Sequence, residues 1–178
     1  MKAPLFGVPL LLALAAGVLP SQTDSAASLS VRIVPSGFTA TGTRSIVLVD
    51  PMQHFYVVVT NTGKTTTRLW RESCSWGYAN LSFEIQDQDG TTLRVVKKPR
   101  TWEKNVPDWM VIPPGDHLVL EVAFDAATWQ SPPMPRPGQQ KLVSLRAVYE
   151  SGDTPEASTG HVWSGRVVSP LNSYTIFR

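Results

Sequence analysis

Cysteine is almost missing from this chain of 178 residues: Cys74 stands alone, so no internal disulfide can form. The hydrophobic core must hold the fold unaided, which a domain of this size can do. Net charge is nearly absent as well. Sixteen basic and fourteen acidic side chains leave +2, too little to point to nucleic acid or an anionic membrane as a partner. Histidine is scarce. His54, His117 and His161 lie far apart, with no His-x-His pair and none near Cys74, so no metal or cofactor is expected. No Gly-x-Ser-x-Gly elbow or phosphate-cradling glycine loop occurs, and nothing points to an enzyme. Long apolar runs are also lacking. The longest, from Pro4 to Leu19, is about 16 residues, short of the roughly 20 that span a bilayer as a helix.

That run is nevertheless the most telling segment present. Lys2 precedes it, Pro20 ends it, and the polar stretch from Ser21 to Ser25 leads into Ala26-Ala27. This is the layout of a secretory signal peptide over residues 1–27, with Ser25 and Ala27 as the small residues at the cleavage site. A retained anchor is the alternative reading. No cysteine sits near the cleavage site for acylation. One domain, residues 28–178, is expected to be secreted or periplasmic, with no membrane span after signal cleavage. No hydrophobic tail follows the last expected strand, so the mature protein is expected to be free rather than anchored.

Fifteen prolines and twelve glycines punctuate a moderately polar sequence, 17% charged, into short strands with no convincing helix. Phe55, Val57 and Val59 alternate before the turn Asn61-Thr62-Gly63. Leu81, Phe83 and Ile85 face one way and Ser82, Glu84 and Gln86 the other, the period of a strand with one wet side. The turn from Asp87 to Gly90 and residues 92–97 complete a hairpin. Pro113-Pro114-Gly115-Asp116 opens the clearest strand, with Leu118, Leu120, Val122 and Phe124 inward. Val143, Leu145, Ala147 and Tyr149 form another stripe. Residues 29–34, 45–49, 161–168 and 173–177 supply the rest, and Trp70 and Trp163 are read as strand residues. About nine strands at short spacing predict an all-β fold, an antiparallel β-sandwich with Greek-key crossings.

The strand ending in Asn61-Thr62-Gly63, the strand announced by Pro113-Pro114-Gly115, and the segment Leu145-Arg146-Ala147-Val148-Tyr149 resemble bacterial immunoglobulin-like domains, including the BsuPI-type proteinase-inhibitor domain family. The resemblance runs from Ser45 to Phe177 and implies an immunoglobulin-like β-sandwich with a binding or accessory role. It supplies no catalytic residues. The cysteine and tryptophan pattern of antibody-type domains is missing, because Cys74 has no partner.

Several short patterns dissolve on inspection. Ser73-Cys74-Ser75-Trp76 is similar to the surroundings of a papain-type nucleophile, but Ser75 intervenes before the tryptophan and a loop is expected where that family has a helix. Cys74 reads instead as a small apolar residue, with an exposed thiol able to link chains as the other possibility. Asp87, Asp89 and Gly90 lack the downstream carboxylate of a calcium loop and read as a hairpin turn. Asn80-Leu81-Ser82 is a glycosylation sequon overlapping a strand start.

The aromatics are more suggestive. Trp76, Tyr78, Trp102, Trp109 and Trp129 fall in or beside expected loops, outside the alternating stripes. There they can stack sugar rings, anchor a protein, or plug the ends of the sandwich. A basic hairpin with Arg94, Lys97, Lys98, Arg100 and Lys104 lies near Trp102. The proline-rich segment from Pro132 to Gly138 reads as a rigid exposed loop, either a connector or a recognition loop. The expectation is an exported, non-enzymatic module that recognises a protein or polysaccharide through loop aromatics. A carbohydrate-binding module stacking sugars on tryptophan, and a proteinase inhibitor using residues 132–138 as bait, are the alternatives.

Overall fold

A computed structural model describes residues 29–48 and 53–178. The expected signal peptide, and Val49 at the end of one expected strand, lie outside the described residues. Among the described residues are thirteen strands and two short helices: β1 (Leu29–Val34), β2 (Gly37–Phe38), β3 (Arg44–Val47), β4 (Phe55–Asn61), β5 (Thr67–Trp70), α1 (Ser75–Tyr78), β6 (Leu81–Gln86), β7 (Thr92–Lys97), β8 (Trp109–Ile112), β9 (His117–Val122), β10 (Trp129–Gln130), β11 (Gln140–Ser151), α2 (Pro155–Gly160), β12 (Gly165–Val168) and β13 (Asn172–Phe177). The fold is an all-β sandwich. One sheet runs β1-β4-β9 and the other β10-β7-β6-β11-β13-β3-β2, with β12 added beside β11.

The small β5-β8 sheet is the same ladder as β4-β9, continued past a kink. β4 pairs with β9 from Phe55↔Val122 to Thr60↔His117, and β5 resumes with β8 from Thr67↔Ile112 to Trp70↔Trp109. Asn61 pins the bend. It is fully buried, its amide nitrogen donates to the carbonyls of Thr65 and Ile112 (2.8 Å each), and its oxygen accepts from the Gly63 amide at 3.0 Å. Opposite it, Pro114 and Gly115 occupy the central positions of a turn closed by the Asp116 amide on the Pro113 carbonyl at 3.1 Å. Gly115 takes φ +82°, the left-handed backbone that the third position of such a turn requires.

Alternation fills the space between the sheets. Phe55, Val57 and Val59 from β4 and Leu118, Leu120 and Val122 from β9 meet Leu81, Phe83 and Ile85 from β6 and Val143, Leu145 and Ala147 from β11. Rings form the densest part: Phe55 and Phe83 each lie 5.0 Å from Phe124, and Trp129 meets Phe83 at 5.3 Å.

The expectations need four corrections. Two helices occur where none was expected, because one and a half turns are too short to show a 3.6-residue period. α2 has ordinary end signals: the Thr154 hydroxyl accepts from the Ala157 amide (3.2 Å), Pro155 sits in the first turn, and His161 closes it at φ +50°. The strand expected from residue 161 therefore starts at Gly165, and Trp163 sits between helix and strand, half-buried against Tyr149. The strands exceed nine because short pieces such as β2, β8 and β10 carry too little alternation to be seen. Finally, the sandwich is not wholly antiparallel: β3 runs parallel to β13, from Arg44↔Tyr174 to Val47↔Phe177.

Candidate functional site

The kinked extension carries the aromatic residues to one end of the sandwich, where α1 and α2 close over it. Trp70 of β5 is buried; Trp76 of α1 stacks on it (5.7 Å, 28° between planes) and Trp109 of β8 meets it edge-on at 5.8 Å. Cys74, Ala157 and Val162 complete this second core. Arg68 ties the helix end down: its guanidinium donates to the Gly160 carbonyl (2.6 Å) and lies 5.6 Å from the Trp109 ring centre. The Trp76 indole nitrogen donates to Glu156 Oε2 at 3.3 Å.

Between β8 and α2 these residues leave a groove of about 510 Å³. Its walls are Trp109, Pro107 and Pro155, with Gly160 at its base and Arg68, Glu156 and Thr159 around it. An apolar concavity with a few convergent polar groups is the usual form of a binding site. Gly160 fits because it has no side chain: a Cβ would come 3.2 Å from both the Trp109 ring and Val162. The Glu156 carboxyl is held below its usual range, chiefly by its own backbone amide and further by the Thr154 hydroxyl and the Trp76 indole, so it stays ionised.

The other aromatics do not join this groove. Tyr78 and Trp102 meet edge-on at 5.7 Å, with Arg100 4.9 Å from the centre of the Trp102 ring. Lys97, its side chain only 9% exposed, lies 4.9 Å from the Tyr78 ring centre and 5.8 Å from that of Trp129, and pairs with Glu72. Trp129 is a correction: at 3% exposure it is a core residue, its indole donating to the Ala123 carbonyl at 2.9 Å. The five expected residues thus divide into Trp76 and Trp109, Tyr78 and Trp102, and Trp129 in the core, and they form no single flat platform. Sequence reasoning missed Arg68, Glu156 and Thr159, which only the fold brings to Trp109. The Thr154-Pro155 start of α2 was the one available signal.

The remaining motifs are absorbed by packing. Residues 132–138 are packed over their first half only: Pro133 and Pro135 are buried and Met134 packs on the core, while Arg136, Pro137 and Gly138 stay exposed, the Gly138 amide donating to the Arg178 carbonyl at 2.7 Å. The basic hairpin is largely engaged internally, with Arg94 on Glu150 (3.1 Å) and Lys98 on the Ala126 carbonyl (2.6 Å). Asn80 of the sequon is buried and, with its amide nitrogen turned toward them, donates to the carbonyls of Trp76 (2.8 Å) and Glu150 (3.1 Å). Asp89 and Gly90 form a turn, the Asp89 carboxylate accepting from the Thr91 amide at 2.9 Å.

Cys74 occupies the N-cap position at the end of the loop before α1, where its side chain makes no capping hydrogen bond, so a helix that was not expected does follow it. At 1% exposure, its thiol donates to the Arg71 carbonyl at 3.2 Å. His54 lies 2.7 Å from Glu121, His117 bonds Thr60 at 3.1 Å, and His161 ends α2. Among the described residues, no three His, Cys, Asp or Glu side chains gather as a metal site, and no helix is long and apolar enough to cross a membrane. A smaller cleft of about 280 Å³ beside β9 is walled mostly by core side chains such as Trp70, Leu120 and Tyr149.

No family model matches this chain, and no curated protein or solved structure matches it either.

Proposed function

We propose that this chain is an exported, non-enzymatic binding module, acting in the periplasm or outside the cell, whose recognition surface is the groove between β8 and α2. The leader of residues 1–27 supports export, and the sheet orders β1-β4-β9 and β7-β6-β11-β13-β3 support an immunoglobulin-like scaffold. The observation that carries the reading is the convergence of Trp109, Arg68, Glu156 and Thr159 on one apolar groove. Three separate segments supply them, and the Arg68 bond to Gly160 locks two of those segments together. Recognition through a groove so held loses little entropy on binding.

Photo-crosslinking in the exporting host tests the site without assuming the ligand. Benzoylphenylalanine is placed at Val106, 71% exposed and next to groove-lining Pro107, or at Leu171, exposed elsewhere on the sandwich. The expected outcome is a covalent adduct, protein or glycan, from position 106 alone. Adducts from position 171 only, or from neither, contradict the proposal.

A further inference from the structure

The chemistry of the groove selects among ligands, an inference that rests on the groove being the recognition site. An extended peptide is held chiefly through its backbone, and here the wall offers little to meet it. Pro107 and Pro155 have no N–H, and the Gly160 carbonyl is already bonded by Arg68. For an acidic ligand the groove offers one carboxylate, Glu156, against one guanidinium, Arg68, which also donates to the Gly160 carbonyl and lies against the Trp109 ring, so no net positive charge is there to hold it. What stays available is an indole wall, the acceptor capacity of the Glu156 carboxylate beyond its own amide, Thr154 and Trp76, and the exposed Thr159. An aromatic wall beside a hydrogen-bond acceptor and a hydroxyl suits a ring with one apolar face and a hydroxyl-bearing edge.

We propose that the groove takes a neutral hexopyranose unit of a glycan, packed against Trp109 with its hydroxyls donating to Glu156 and exchanging hydrogen bonds with Thr159. One tryptophan in a groove, in place of a row of coplanar rings, fits a short stretch or an end of the chain. With one carboxylate and one guanidinium the groove carries no net charge that would favour uronic acids over neutral sugars. Specificity among neutral sugars comes from which adjacent hydroxyls reach Glu156 and Thr159 together.

Affinity electrophoresis of the purified protein tests this, in native gels cast with laminarin, hydroxyethylcellulose, glucomannan or dextran, and with polygalacturonate as the acidic comparison. At least one neutral polysaccharide is expected to retard the protein, and polygalacturonate is not. Trp109→Ala should abolish retardation. Because that ring also packs on Trp70, Glu156→Gln and Thr159→Val probe the same contact at the rim. Each should weaken binding at least tenfold, Thr159→Val with an unchanged melting temperature and Glu156→Gln with a lowered one, since its carboxylate also holds Trp76, while Phe38→Ala, at a distant sheet edge, binds as the parent does. Retardation by none of the neutral polysaccharides overturns the proposal. So does retardation equal in all variants, or stronger with polygalacturonate. A protein adduct from position 106 without glycan binding would sink the sugar assignment and leave the groove standing; no adduct and no glycan binding would sink both.

Discussion

At the residue scale, three residues show how tightly the α1 end is built. Gly77 sits where an added Cβ would lie 2.1 Å from the Arg71 carbonyl oxygen. Gly77→Ala should therefore cost more than the ~1–3 kcal/mol of ordinary overpacking, because the obstructing atom is backbone and cannot rotate away. Urea unfolding measures it. The Cys74 thiol is buried against two carbonyls, of Arg71 and Asp108. It should react with a thiol reagent only as fast as the protein unfolds, and a fast phase in native buffer would contradict that placement. Burial pushes the Tyr149 hydroxyl up to about 12 from the ordinary 10. A raised folded pKa means that the unfolded chain ionises first, so this stabilisation is complete below pH 10 and is lost as pH climbs to 12. The slope is about 1.4 kcal/mol per pH unit in that window. Tyr149→Phe should flatten the alkaline limb of a denaturation-midpoint profile.

At the scale of elements, the kink and the cross-strand ion cluster matter most. Asn61→Ala would leave the carbonyls of Thr65 and Ile112 without their donor, at about 2–4 kcal/mol for two buried bonds. It should also loosen β5-β8 before the main sheets, seen as earlier hydrogen exchange of Leu69 and Met110 than of Val57 and Leu120. Glu84 on β6 joins β11 and β12, accepting from Arg146 Nε at 2.6 Å and Arg166 at 2.8 Å. Partial burial would raise its carboxyl, but the bonds and charges of Arg146 and then Arg166 outweigh that and hold it below 4.5. Its contribution is therefore present above pH 4.5 and lost as pH falls through the lowered value. Glu84→Gln should destabilise by about 1–3 kcal/mol at neutral pH and shrink the acid-side fall. The longer strands were legible because six or more residues of alternation name their own inward face, as Leu81, Phe83 and Ile85 do on β6. α2 was not, since its six residues carry only capping signals. Nor was the β3–β13 parallel pair, which depends on a partner 130 residues away.

At the scale of the whole molecule, charge is dispersed and paired, and the concavity at the α2-capped end brings the aromatic wall of β8 together with polar groups from β5 and α2. The sequence showed which residues were aromatic and outside the strands. It did not show that Trp129 turns inward to Phe83 and Phe124, because that follows from β10 pairing with β7, nor that Trp109 lines a groove, because the bend at Asn61 and the packing of α2 put it there. The six tryptophans make the central claim directly measurable. Their indole N–H signals in a ¹⁵N-labelled sample are followed while cellohexaose, laminarihexaose and mannohexaose are added in turn. The expected result is a saturable shift of Trp109, with Trp76 following through Glu156 and Trp129 unmoved. A shift confined to Trp102, or six signals unmoved by all three sugars, would contradict the account.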